Sequence, residues 1–460
     1  MKPFSRVVVI DDQQKHLDII IRALGRAGFG AIGYHTDAGI INPPPSPCNG
    51  VRLVFSDIHL TPMSAISGVD NVGILGPFLK DVVQDGPYGL ILWSKNAHDE
   101  EEIVQNLIDR ADDLGIQLPV FFGFIDKKNV LTGFDDYAEE VDDDNQEIFK
   151  NLIFSEIEKC PILKAVMEWE ERAFLAANFA TNSLFKLSRD PNTTVQNERW
   201  LELISYLAQE AIGRTAAKND PFKALDNALL PIVEDQLRYS LPDPSANAIK
   251  IIKDKLDEQK RLSLPSGVST AKLHSFYLVE NLEKNNTQHH FRGTVSTIKP
   301  DDFDNFIATC FASKWRSLLF DEFIVPGKDR VISDEARKDV KLLEHVVPCL
   351  ISLTPECDDV QGKVVTQRYL LGVLADRDYH RFIFDNGNLA RDALHRIGII
   401  DHDGKEKMLV ASCRRFLAIP SSAAKNLPFE ATMRLRRATI EELSHHYTTY
   451  TRRPGVMRFS

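Results

Sequence analysis

Short apolar runs and stretches of helical period alternate along the first 130 residues. Arg6–Asp11 (RVVVID) is a valine-rich run apolar on both faces, the pattern of a buried parallel strand. From Gln14 to Ala27 the apolar residues Leu17, Ile20, Ile21 and Leu24 recur at helical spacing until Gly28 ends the pattern. Ala31–Tyr34, Val51–Asp57, Gly89–Ser94 and Leu118–Ile125 read as further strands. His98–Leu114 reads as a helix, with Ile103, Leu107 and Ala111 at i, i+4 and i+8. The proline-rich stretch 43–47 cannot be a helix interior, because each ring removes a donor and clashes with the turn before it. Strands separated by helices predict an α/β fold, a doubly wound five-stranded parallel sheet with right-handed crossovers, over residues 1–134.

The pattern then changes. Residues 135–147 (DDYAEEVDDDNQE) are strongly acidic and predict a solvated linker over 135–150 or the acidic start of a helix. Ile148–Leu187, with Pro161 as a kink or restart, Glu198–Ile212, Pro221–Tyr239 and Ser245–Arg261 carry helical spacing, so 151–345 is expected to be mainly α-helical. Within it His274–Leu282 and His290–Ile298 fit strands of a small sheet. Over 346–460, Val364–Ala375 and Leu389–Arg396 fit helices, Asp401–Lys405 a turn and Met408–Phe416 a strand. That order is the order of a winged helix, with Arg391, His395 and Arg396 toward a DNA groove and Lys405 and Lys407 on the wing. A hairpin with solvated arginines, closing a helical domain, fits the same residues. DNA is therefore admitted as a partner but not favoured.

Charge refines this. The chain of 460 residues has a net charge of −11, but residues 1–150 hold 12 basic against 24 acidic side chains and residues 361–460 hold 17 against 10. A basic end on an acidic protein permits an anionic partner, including an acidic surface of the chain itself. The six cysteines are scattered without a Cys-x-x-Cys pair, which excludes a zinc ribbon and a disulfide scaffold and fits a reducing cytoplasm. No run of 18 apolar residues suggests a membrane span, and the first residues lack the apolar core of a secretory signal.

The candidate chemistry lies at the strand ends, where open parallel sheets place their sites. The first strand ends in Asp11-Asp12, the third in Asp57 and the fourth in Ser94, while the fifth runs out at Lys127-Lys128. Crowded carboxylates repel, and a hard divalent cation relieves them; Mg2+ bridges carboxylates to phosphate while keeping several waters. The residues VVVIDD at 7–12, VFSDIHL at 54–60, LILWS at 90–94 and FIDKK at 124–128 resemble the receiver domains of two-component response regulators. The resemblance covers roughly residues 5–130. It implies that Asp57 accepts phosphate from a histidine kinase or phosphotransfer protein and that Asp11, Asp12, Asp57 and the backbone carbonyl of His59 hold Mg2+. It also implies that Ser94 turns toward the phosphate, that Lys127 or Lys128 supplies an ammonium, and that Phe124 is the aromatic reporting the state of the site. The chain departs from the family in lacking a proline after the lysines and in carrying Lys95 after Ser94. The expected protein is a signalling phosphoacceptor controlling or buffering a helical protein-interaction output, or a receiver-like module that is not phosphorylated.

Other strings fail on context. Gly28–Gly33 matches a dinucleotide-binding pattern but follows a helix and precedes a strand, the reverse of what a phosphate-binding helix start requires. His289-His290 and His445-His446 are adjacent pairs whose side chains diverge on a helix, so neither reads as a metal site.

Overall fold

The computed structural model describes residues 5–37, 40–41, 48, 50–60, 68–83, 86–94, 100–127, 143–189, 196–258, 261–282, 291–298, 303–325, 331–361, 363–385, 388–389, 392–424 and 429–452. The chain divides into two compact units, residues 1–184 with 232–261, and residues 185–231 with 262–460.

The first unit is built on a six-stranded, mostly parallel sheet. Its strands are β1 (Val7–Asp11), β2 (Ala31–Asp37), β3 (Ile40–Ile41), β4 (Leu53–Asp57), β5 (Gly89–Ser94) and β6 (Phe121–Asp126), in the order β3-β2-β1-β4-β5-β6. All neighbours pair parallel except the two-residue edge strand β3, which runs antiparallel to β2 and adds a sixth strand to the five expected. Helices α1 (Gln14–Arg26), α2 (Gly68–Val82) and α3 (Glu100–Leu114) connect the strands. Gly28, at φ +88°, takes the left-handed conformation that ends α1 and turns the chain into β2. The proline-rich residues 43–47 lie outside the described residues, and no described residue between β2 and β4 is helical.

Both faces of this sheet are covered, as its apolar strands require. Leu17, Ile20 and Leu24 of α1 cover Val7, Val9, Phe55 and Ile91 on one face. Val72, Leu75 and Leu79 of α2, with Ile103 and Leu107 of α3, cover Val8, Ile10, Val54, Leu90 and Leu92 on the other. A fourth helix, α4 (Asp143–Glu158), follows the second of the two readings of the acidic segment, the acidic start of a helix, and runs on into the helical spacing expected from Ile148. Its residues Phe149, Ile153 and Ile157 complete the α1 face of the core, so the first unit continues past residue 134. Residues 135–142 lie outside the described residues. Glu156 of α4 accepts from the Phe124 backbone N–H of the edge strand β6, satisfying a donor that no further strand pairs. Pro161 opens the next helix, Pro161–Ser188, at the first position, where its missing donor costs nothing. Arg52 clamps this helix to the start of β4 through Glu170, with N–O distances of 2.6 to 3.2 Å.

The second unit holds a seven-stranded antiparallel sheet. Its strands are β7 (Val279–Asn281), β8 (Thr294–Ile298), β9 (Val346–Ser352), β10 (Thr366–Asp376), β13 (Leu394–His402), β14 (Lys405–Pro420) and β15 (Phe429–Leu435), in the order β13-β14-β10-β9-β8-β15-β7. A separate two-stranded ribbon pairs β11 (Phe384–Asp385) with β12 (Asn388–Leu389). The mainly helical reading of 151–345 therefore holds only in part, because β7 and β8 join a sheet whose other strands come from the last 115 residues.

Several expected elements are corrected. Val364–Ala375 is not a helix: Thr366–Asp376 is the sheet's third strand, buried along most of its length on both faces, so its near-continuous apolar run shows neither period clearly. Leu389–Arg396 is not a recognition helix either. It contains the end of β12 and the start of β13, and Arg391 lies outside the described residues. The His395 ring lies beside that of His446 with centroids 4.7 Å apart, Arg396 lies over Phe384, and Lys407 pairs with Asp376 at 3.5 Å, so these three of the residues assigned to a DNA-reading helix and its wing make contacts within the unit. Conversely, His274–Leu282 begins as a helix, Thr270–Leu278, capped by the Ser269 side chain. His274 and Ser275 of that helix hydrogen-bond Ile399 and Asp401, covering the backbone of edge strand β13. The turn at 401–405 is present: Asp403 (φ 53°) and Gly404 (φ 72°) form the tight β13–β14 hairpin.

Candidate functional site

Strand register assembles the site. Along β1, β4 and β5 the side chains that face α1 and α4 are Val7, Val9 and Asp11, then Leu53, Phe55 and Asp57, then Ile91 and Trp93; on β6, Ile125 precedes Lys127. Parallel pairing sets Ile10 beside Ser56, Asp57 beside Trp93 and Trp93 beside Ile125. Asp11, Asp57, Trp93 and Lys127 therefore share one face at the carboxyl edge of the sheet, between adjacent strands β1 and β4. The connections leave these two strands toward opposite sides of the sheet, which is where a crevice opens in such sheets. Ser94 is buried at the end of β5, beside Asp126, and by strand alternation on the opposite face from Trp93.

The Lys127 ammonium is the centre of the group. Its side chain is 2% exposed, and Nζ donates to Asp11 Oδ2 at 2.9 Å, to Asp57 Oδ2 at 2.5 Å and to His16 Nδ1 at 3.4 Å. It also lies 5.5 Å from the centroid of the Trp93 ring. Asp11 is fully buried and well held: Oδ1 accepts from the Gln13 N–H at 2.8 Å, and Oδ2 accepts from Trp93 Nε1 at 3.2 Å as well as from Lys127. The His59 backbone N–H donates to Asp57 Oδ1 at 3.3 Å, which fixes the loop that follows β4. His35 Nε2 donates to the backbone carbonyl of Asp12 at 3.0 Å.

One ammonium cannot neutralise three acids. Ligand oxygens of Asp11, Asp12 and Asp57 all lie within 4.8 Å of one another, and theirs is the one group of three or more His, Cys, Asp or Glu side chains among the described residues that could hold a metal ion. Burial, which disfavours the charged form, pushes the Asp57 carboxyl up to about 6, against the pull of Lys127 and helped by the neighbouring charge of Asp11. Asp12 is likewise raised, by burial first and by Asp11 second, and its Oδ1 is a buried acceptor with no hydrogen-bond partner. A carboxylate oxygen turned away from every donor beside two other acids is the donor set of a hard cation. The residues present fit such an ion.

Of the expected site residues, the structure brings together Asp11, Asp12, Asp57 and Lys127, with His59 and Ser94 at the adjoining ends of their strands. It brings Lys127 into the group, while Lys128 and Lys95 lie outside the described residues. Phe124 is half-buried and packs with the α2–α3 side of the core. Two participants were missed. Trp93 was legible from strand alternation, since Asp57 and its neighbour in register on β5 share a face. His16 was legible from its place in the first turn of α1, four residues after Asp12.

No protein-family model matches the chain, and no curated protein matches it. Among the described residues no helix is long and apolar enough to cross a membrane.

Proposed function

We propose that the first unit is a receiver-type phosphoacceptor domain, taking a phosphoryl group on Asp57 from a histidine kinase or phosphotransfer protein and passing the signal to the remainder of the chain. The observation that carries this reading is the shared ammonium: Lys127 bridges Asp11 and Asp57 while Asp12 leaves a bare oxygen beside them. The order β2-β1-β4-β5-β6 supports it, being the 2-1-3-4-5 order of flavodoxin-like sheets once the short edge strand is set aside.

The chemistry asks little of the protein beyond placement and charge. A carboxylate oxygen of Asp57 attacks the phosphorus of a phospho-imidazole donor, the O–P bond forms as the N–P bond breaks, and the donor imidazole departs. Lys127 balances charge on the transferred oxygens, the Trp93 and Gln13 N–H groups keep Asp11 in place, and the Ser94 hydroxyl sits one strand from the acceptor. A Mg2+ ion held by Asp11, Asp12, Asp57 and the His59 carbonyl would neutralise the three acids and charge on the phosphoryl oxygens.

Incubation with acetyl phosphate and Mg2+ should add one phosphoryl group to the intact mass, and Asp57→Asn should abolish the gain. Labelling that persists in Asp57→Asn would refute the assignment. A second reading, an interaction module that is not phosphorylated, is favoured by one observation: both oxygens of Asp11 are already engaged by Gln13, Trp93 and Lys127. Absence of label on the parent protein, from acetyl phosphate and from a phospho-histidine donor alike, would select it.

A further inference from the structure

We propose that Trp93 is a positioning residue for the acidic site and that it couples occupation of the site to the seating of α4. This rests on the reading of Asp11, Asp12 and Asp57 as a cation site. Trp93 stands next to last in β5 and is fully buried. It makes three contacts of different kinds. Its Nε1–H donates to Asp11 Oδ2 at 3.2 Å, and the Lys127 ammonium lies 5.5 Å from its ring centroid. The ring of Phe149, from α4, lies 4.8 Å away at an interplanar angle of 40°.

Each contact fixes the next. An indole has a single polar group, a donor, and once buried it needs an acceptor. Here the acceptor is a carboxylate, so the place of the ring sets the orientation of Asp11. Phe149 in turn sets the place of the ring. It too is fully buried, in a close-packed core where a displaced side chain displaces its neighbours. With both contacts made, ligand oxygens of Asp11, Asp12 and Asp57 already lie within 4.8 Å of one another. The arrangement in which α4 is seated is therefore the one competent to take an ion. Outer partners that orient ligands are needed for full metal affinity, and coupling between two sites is reciprocal. Seating α4 strengthens ion binding, and ion binding strengthens the seating of α4 by the same factor. Because α4 ends at Glu158 and the next helix begins at Pro161, the same contacts lead from the site toward the residues beyond.

Mg2+ is titrated by calorimetry into the full-length metal-free parent, Trp93→Phe, Phe149→Leu and the double variant. Trp93→Phe keeps an aromatic ring and removes the N–H donor. It should bind Mg2+ roughly tenfold or more weakly, the scale on which a lost outer partner weakens a metal site. Phe149→Leu should also bind more weakly, and the double variant no more weakly than Trp93→Phe, because Phe149 acts through the indole. Amide hydrogen exchange on the parent gives a readout that needs no variant to fold. Mg2+ should slow exchange in α4 more than in α3, which covers the other face of the sheet, and Trp93→Phe should erase the difference. Equal slowing of α3 and α4, parent-like Mg2+ affinity in Trp93→Phe, or a further loss in the double variant overturns the proposal and leaves the cation reading in place. If the parent binds no Mg2+, the cation reading fails and the proposal falls with it.

Discussion

Asp12 and Asp57 lie where burial and the neighbouring charge of Asp11 act in the same direction, and their carboxyls are both raised. The sign of the stability effect follows. A carboxyl whose folded value exceeds its unfolded one binds more protons folded than unfolded between the two, so stability falls as pH rises through that window. For Asp57 the window runs from its ordinary 3.8 to about 6. Metal-free protein should lose of the order of 1–3 kcal/mol from this group across it, as follows from a shift of about two pH units in a buried acid. Thermal melts at pH 4 and pH 7 should show that fall without cation and a smaller one with saturating Mg2+. Asp12→Asn should raise metal-free stability at pH 7 and weaken the Mg2+-induced rise in Tm; an unchanged rise would remove Asp12 from the cation site. Lys127→Met should act in the opposite sense. It strands Asp11 and Asp57 without their buried counter-charge, at a cost of about 3–5 kcal/mol in metal-free protein, and it raises divalent affinity because a competing positive charge is gone. Melts and calorimetry on this one variant check both directions.

At the scale of elements, α4 decides where the first unit ends. Phe149 is fully buried, and its ring lies 4.8 Å from that of Trp93, so the helix packs directly on the residue that holds Asp11. Phe149→Ala should destabilise the first unit by about 3–5 kcal/mol through the cavity it leaves. A chain ending at residue 134 should fail to fold cooperatively, since the α1 face would lose Phe149, Ile153 and Ile157 together. A cooperative melt of that fragment, with near-ultraviolet circular dichroism like the parent's, would show that α4 is dispensable. The sequence left the start of this helix open. Residues 143–147 read either as a solvated link or as the acidic start of a helix, with helical spacing legible from Ile148, and that Phe149, Ile153 and Ile157 belong to the first core shows only once a sheet face is there to receive them. The same ambiguity inverted β10 and the Thr270–Leu278 helix. A run apolar on both faces shows no amphipathic period, and the nine-residue helix was marked mainly by its Ser269 cap.

For the whole molecule, the two units have separate apolar cores. Ile20, Phe55 and Phe149 belong to one in the first unit, and Leu319, Leu371 and Val410 to one in the second. Ligand binding stabilises only the structure it binds. Calorimetry should therefore resolve a transition that Mg2+ moves upward and another that it leaves in place. Leu371→Ala, at a cost of about 2–5 kcal/mol, should lower the second while the Mg2+-dependent shift of the first persists. Loss of that shift in Leu371→Ala would mean that the cation site depends on the second core.

What the sequence by itself determined is the first sheet and the acids at its edge. Valine- and leucine-rich runs buried on both faces, each followed by a stop signal, define parallel strands locally, and the acids end those strands at positions countable from the pattern. Tertiary structure alone decided the rest. It brings Lys127 onto the face shared with Asp11 and Asp57, while Lys128 lies outside the described residues. It brought His16 and Trp93 into the group, because their contacts join a helix turn and strands separated by up to 111 positions in the chain. It also built the seven-stranded sheet, which pairs β8 with β9 and with β15 across long stretches of intervening chain, a pairing that no local pattern encodes.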